Sequence, residues 1–373
     1  MKSLNLSQNW VVLAPGDDAS AYAAAEISRI FGLLRRKAGL YSGDIPVESA
    51  VSAPDGPAAA IILNAGAERA RNGYSWRAAP ERVEIFGASG RGLVNGAYRF
   101  LGALGVRWPE PGVEILPDPG ADGVYALTES GAHQPSEPDS AKWRRLVIGR
   151  ETPLADRMHI LHWGIRSGAD ALILPLEETP PLFAAISGAF RRNGELLREE
   201  AERAALSVEA GGWDLTLLIG HRVFAPKELF RMEGGRRLKT FNFCPTSPAA
   251  IARIKRGAER VFAAARDVTV FHLWPDRDAE DTWCSCPTCR AFSRREQNRI
   301  AVRAAADVLA RINPAARVSY FEYVPGNGAA VTGNVVPENT DDETGAVSVR
   351  SNMFGIGPLE RFFPGTRLLF GGA

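Results

Sequence analysis

VTVFHLWPDRDAEDTWCSCPTCRAFSRREQNRIAVRAAADVLARINPAARVSYFEY, residues 268–323, decides the fold. It opens on an apolar, β-prone run (268–273) and closes on a second one (318–323). Between them lie a loop rich in acids and cysteines and a helix over 293–312, started by Ser293. A strand, a helical crossover and another strand form the unit from which parallel sheets are built. Working outward, the alternation continues. Strands are expected at 146–148, 171–176 and 215–219, with shorter ones at 347–349 and 368–370, and helices over 156–168, 194–210 and 247–265. This is the order of an α/β (β/α)8-type TIM barrel, for which about 250 residues are typical. Seven strands can be counted and the chain ends at the seventh, which leaves closure of the barrel open.

Upstream the pattern describes a smaller α+β unit. A strand over 9–14 stops at Pro15-Gly16, and an Ala-rich helix over 19–38 sets Ile27, Ile30, Phe31 and Leu34 on one face. A buried strand (58–63), a hairpin (74–76 with 82–86) and a second helix (90–104) follow. Pro117, Pro119, Pro135 and Pro138, with several glycines, then make the chain loop-like. The expected division is an N-terminal α+β domain over 1–120, a linker over 121–139 and the barrel over 140–373.

Composition excludes several classes. The 373 residues are 45% hydrophobic and 23% charged, with 44 basic against 43 acidic side chains. A net charge of +1 exerts no pull on nucleic acid or anionic lipid. No run approaches the ~18 apolar residues of a membrane helix, and the N-terminus lacks the apolar core of a secretory signal. The sequence as it stands reads as cytoplasmic, or as secreted if its true start is missing. Neither nucleic acid nor membrane is expected as a partner.

A resemblance sharpens the picture. NGYSWRAAPERVEIFGASGRGLVNGAYRFLGALGVRWPEPGVEILP (72–117) resembles the small domain that precedes the barrel in alpha-glucuronidases and family 20 hexosaminidases. Three further segments resemble the barrel called domain of unknown function 4838: Gly220-His221, FNFCPTSPAAIARI (241–254), and the stretch from Leu273 to Tyr323. What this implies is a carbohydrate partner, an oligo- or polysaccharide, and a glycoside hydrolase-like activity. The alternative is a carbohydrate-binding protein on an inactive or incomplete barrel.

Barrel sites gather on the loops after the strands' C-terminal ends. Glycoside hydrolysis needs an acid to protonate the leaving oxygen and a second group at the anomeric centre. Family 20 enzymes carry their acidic pair at the end of the fourth barrel strand, where Asp276 stands here. Asp276 is therefore the expected catalytic carboxylate, with Glu322 at a strand end as the second. The Asp-Glu pair itself is absent, which separates this chain from the family 20 pattern. Asp278, Glu280 and Asp281 crowd the same loop, and all these acids could instead simply solvate it. His221, Trp274 and Tyr323 are expected to line the sugar site; the alternatives are a strand-end histidine satisfied by backbone and aromatics that pack the core. His272, inside a strand, reads as a packing residue.

Cys284, Cys286 and Cys289 sit on one loop, and Cys244 is the remaining cysteine that could complete a tetrahedral set. A structural zinc site is one reading; a disulfide or buried thiols are the others. Catalysis requires no cofactor on this reading.

Overall fold

The computed structural model describes residues 3–40, 43–49, 59–66, 73–127, 132–133, 142–148, 152–176, 184–212, 215–220, 222, 224–275, 282–322, 335–339 and 367–372. Side chains are described for these except 121, 132–133, 142–144, 184–193, 321–322, 335–339 and 367–372.

The N-terminal part runs β1 (Ser3–Asn5), β2 (Trp10–Ala14), α1 (Asp18–Lys37), β3 (Val47–Ser49), β4 (Ala59–Ala65), β5 (Tyr74–Ala79), β6 (Arg82–Gly87), α2 (Gly90–Ala103), β7 (Val124–Ala126) and β8 (Ala132–His133). Six strands form a mixed sheet in the order β3-β2-β4-β6-β5-β8. Asp17 starts α1 by accepting from the Ser20 amide at 3.0 Å, and Ser89 starts α2 by accepting from that of Gly92 at 3.0 Å. Ile27, Ile30, Phe31 and Leu34 of α1 and Leu93, Phe100 and Leu101 of α2 are buried with Trp10, Val12, Ile61 and Ile85 of the sheet. The stretch expected to be a linker carries β7, which pairs antiparallel with β1, and β8, which pairs with β5. Tyr125 of β7 fixes that return by donating its hydroxyl to Leu34 O at 2.8 Å.

The second part runs β9 (Lys142–Val147), α3 (Leu154–Arg166), β10 (Ala171–Leu174), α4 (Ala184–Arg203), β11 (Ser207–Gly212), β12 (Met232–Glu233), β13 (Arg236–Arg237), α5 (Pro248–Ala264), β14 (Val270–Leu273), α6 (Arg294–Ile312), β15 (Arg317–Glu322), β16 (Val335–Asn339) and β17 (Arg367–Gly372). Its sheet has the order β16-β15-β14-β11-β10-β9-β17. All neighbours are parallel except β17, which lies antiparallel on β9. Among the described residues no ladder joins β16 to β17, so the sheet is barrel-like in order without a shown closure.

Register sorts the strand residues into two rows. Phe271, Val318 and Tyr320 pack with α5 and α6; the rings of Phe262 and Phe271 are 4.6 Å apart. The opposite row holds Arg145, Ile173, Glu209, His272 and Ser319. Leu146, Ile160, Trp163 and Leu197 join the same core as the first sheet, so apolar packing runs unbroken between the two parts. Arg91, 4% exposed, also crosses there, donating to Ile165 O at 2.8 Å and Ala204 O at 3.3 Å. These carbonyls belong to the C-terminal ends of α3 and α4, where a cation suits the helix dipole.

Two expectations need correction. Residues 215–219 form a 3-10 turn rather than a strand, and the third strand of the parallel sheet is β11. The apolar run LTLLI mimics a buried strand, whereas Gly211-Gly212 disguises a real one. The expected helix over 194–210 is accordingly α4, ending at Arg203. The strand expected at 347–349 lies outside the described residues; β16 precedes it.

Candidate functional site

On the row away from the helices, charge is buried in the middle of the parallel sheet. Glu209 of β11 is 5% exposed. It accepts from Arg145 Nε of β9 at 2.5 Å, and its Oε2 lies 2.7 Å from His272 Nε2 of β14. Burial raises the Glu209 pKa, but the hydrogen bond and charge of His272, with those of Arg145, outweigh it and hold the carboxyl below its ordinary value. Trp274, 1% exposed, sets its ring edge-on to His272 at 5.2 Å between centroids. Its backbone continues the β11–β14 ladder, donating to Gly212 O at 2.9 Å and accepting from the Leu215 amide at 3.0 Å.

Gly211 explains how β14 comes so close. At φ +117° a Cβ there would overlap the His272 carbonyl oxygen and lie 2.8 and 2.9 Å from that residue's C and N. Only glycine lets the two strands meet where Glu209 and His272 pair.

The expected site residues distribute unevenly. Trp274 stands at the end of β14, beside His272. Glu322 ends β15, its backbone paired with Asn339; its side chain is outside those described. His221, Asp276 and Tyr323 lie outside the described residues, as do Asp278, Glu280 and Asp281. Gly220 follows the 3-10 turn over Leu215–Ile219 rather than a strand. Arg222 is held by Lys239 O at 3.0 Å and Thr216 Oγ1 at 3.2 Å. Sequence reasoning missed Arg145 and Glu209. A charge inside a short β-prone run (Arg145 in KWRRLV, Glu209 in SVEAGG) was the available signal.

The four cysteines do come together. All are buried, and their sulfurs lie within 4.8 Å of one another. Cys244 Sγ is 3.8 Å from Cys286 Sγ and 3.7 Å from Cys289 Sγ. Four thiolates at about 2.3 Å from a tetrahedral zinc have S–S edges of about 3.8 Å, whereas a disulfide needs about 2.05 Å. The donor set therefore fits a metal ion. Such a closed all-sulfur site suits a structural role.

No family model and no curated protein matches the chain. Solved structures do. The family 20 exo-β-N-acetylglucosaminidase of Vibrio harveyi superposes with a TM-score of 0.55 at 13% identity, over 90% of this chain and 55% of that one. Flavobacterium johnsoniae chitobiase gives 0.55 at 12% identity, over 86% and 50%. The β-N-acetylhexosaminidase of Bacteroides fragilis gives 0.51 at 17%, over 90% and 66%. The fold is similar to that of family 20 hexosaminidases. That likeness spans both sheets, while the chain covers only about half the length of the first two structures. The resemblance to domain of unknown function 4838 rests on the quoted motifs alone. No helix among the described residues is long and apolar enough to cross a membrane.

Proposed function

We propose that the protein is a glycoside hydrolase whose sugar site lies at the C-terminal ends of β11, β14 and β15. The observation that carries this reading is the buried Arg145–Glu209–His272 set on the row of the parallel sheet turned away from the helices. Burying charge in a sheet centre is costly and apolar packing does not require it, and we read this paired set as part of the site for that reason. Barrel-type sheets place their chemistry at this end, and the structurally similar proteins named above act on N-acetylated hexosides. In the proposed mechanism Asp276 protonates the leaving oxygen and Glu322 is the second carboxylate. His221, Trp274 and Tyr323 line the sugar. Glu209, paired with Arg145 and His272, holds the strand ends beneath the site in register. Zinc is the ion proposed for Cys244, Cys284, Cys286 and Cys289, where it is structural and takes no part in the reaction.

The test is turnover on a panel of aryl glycosides, N-acetylhexosaminides and glucuronides included, with Asp276→Asn alongside. Release of aglycone that vanishes in the variant supports the hydrolase. Activity untouched by the substitution removes Asp276 from the mechanism. One observation favours a second reading: β17 lies antiparallel on β9, where a closed barrel would seat a parallel strand. On that reading the protein binds carbohydrate without cleaving it, and folded protein would bind a panel sugar with no turnover.

A further inference from the structure

We propose that Arg237 is the outer-shell cation of the four-cysteine centre, and that the bound ion fastens the β12–β13 hairpin and the Cys244 turn to the loop in front of α6. This rests on the zinc reading given above.

Four thiolates around a divalent ion carry two net negative charges, and all four side chains here are buried. Such a centre needs donors aimed at its sulfurs. The structure provides them. The Met232 amide of β12 points at Cys284 Sγ at 3.3 Å, and the Cys289 amide at Cys286 Sγ at 3.4 Å. Thr246 Oγ1 lies 3.0 Å from Cys289 Sγ and 3.6 Å from Cys244 Sγ. Arg237 of β13 brings Nη1 to 3.6 Å from Cys284 Sγ, while the same nitrogen donates to Phe230 O at 2.8 Å. It is the formal cation among these donors. Gly234 and Gly235, at φ +53° and +79°, make the tight turn that returns the chain from Met232 to Arg237. The Met232 and Arg237 donors thus come from one short hairpin folded over the cysteines.

The two sides of the centre are held very differently. On the α6 side, Gln297 alone binds four backbone groups. Its Oε1 accepts from the Cys284 amide at 3.1 Å, and Nε2 donates to Cys284 O, Phe292 O and Cys289 O at 3.2, 3.2 and 3.4 Å. Three of the four ligands therefore sit on a loop already shaped by the helix. The fourth ligand and both hairpin donors arrive from residues 232–244. Ser285 ties that segment across with two bonds to Met232 O, from its amide at 2.8 Å and from its hydroxyl at 2.6 Å. Asn242 adds donations to Thr282 O at 3.2 Å and Thr282 Oγ1 at 3.3 Å, across 40 residues of sequence. An ion shared by Cys244 and the loop cysteines supplies a further attachment between the same two segments.

The experiment loads the full chain with Co(II) as a spectroscopic stand-in and measures Zn(II) affinity by competition with a chromogenic chelator. It compares wild type, Arg237→Gln and the exposed neighbour control Arg236→Gln. Hydrogen exchange over residues 230–244 is then recorded for metal-loaded and metal-stripped protein. The expected result is one ion per chain with tetrathiolate charge-transfer bands, retained in Arg237→Gln. Zinc affinity should fall about 10- to 100-fold in that variant and stay unchanged in Arg236→Gln. Exchange over 230–244 should quicken on stripping. Wild type that takes up no ion overturns the zinc reading itself. Uptake with Arg237→Gln affinity within twofold of wild type overturns the role of Arg237. Uptake without any exchange difference overturns the fastening.

Discussion

Replacing Gly211 by alanine tests the strand contact on which the buried charge set depends. Gly211 and Gly212 are adjacent on β11 with nearly equal dihedrals, φ +117° and +120°. Alanine at either position meets the same backbone strain, about 1–3 kcal/mol. The surroundings differ. At Gly212 an added Cβ would find only the Trp274 ring, at ordinary contact distances of 3.8 and 3.9 Å. At Gly211 it would drive into the His272 backbone, which cannot swing aside as a side chain could. That overpacking adds about 1–3 kcal/mol. Gly211→Ala should therefore unfold in chemical denaturation, followed by far-UV circular dichroism, with a free energy about 1–3 kcal/mol below that of Gly212→Ala. Because β14 must retreat, the Glu209–His272 pair should also loosen. Equal stability of the two variants, within about 0.5 kcal/mol, would show that β14 does not rest on Gly211.

Glu209→Gln should flatten the acid side of the stability profile. The folded carboxyl lies below its ordinary value of 4.5, so its contribution is complete above that value and is lost as pH falls through the folded value. The check is Tm against pH for both proteins, with a shallower slope expected in the variant. Glu209→Ala, which strips Arg145 and His272 of their buried partner, should cost about 3–5 kcal/mol in denaturant unfolding. Arg91→Leu should cost about 1–3 kcal/mol by leaving the helix-end carbonyls of Ile165 and Ala204 short of a donor. Gln297→Leu should lower zinc affinity and free the Cys284–Cys289 loop, read as faster hydrogen exchange over residues 284–292.

Much of the fold was legible because its strongest signals are local. Ile27, Ile30, Phe31 and Leu34 mark α1, the run from Ser293 to Ile312 marks α6, and the β5–β6 hairpin has Pro80-Glu81 at its turn. What was hidden depended on partners. β7 and β8 are too short to announce themselves and exist because β1 and β5 receive them. β11 was masked by the two glycines that make it useful, since low strand propensity and close approach come from the same missing Cβ. The cysteine cluster was readable because Cys284, Cys286 and Cys289 are close in sequence and only Cys244 remained to join them. Glu209 and Arg145 were not, because their meaning arises from the register that aligns three parallel strands. Nothing in a single strand shows that its lone acid will face a histidine 63 positions on.

The placement of the proposed sugar site can be tested by hydrogen exchange of the intact protein, with and without saturating members of a panel of N-acetylhexosamines, hexuronic acids and their short oligomers. Slowed exchange at the ends of β11 and β14, residues 209–212 and 272–275, is the expected result, and it should weaken in Glu209→Gln. Sugar-dependent protection confined to other surfaces, or no protection from any member of the panel, would contradict a carbohydrate site built around Arg145, Glu209 and His272.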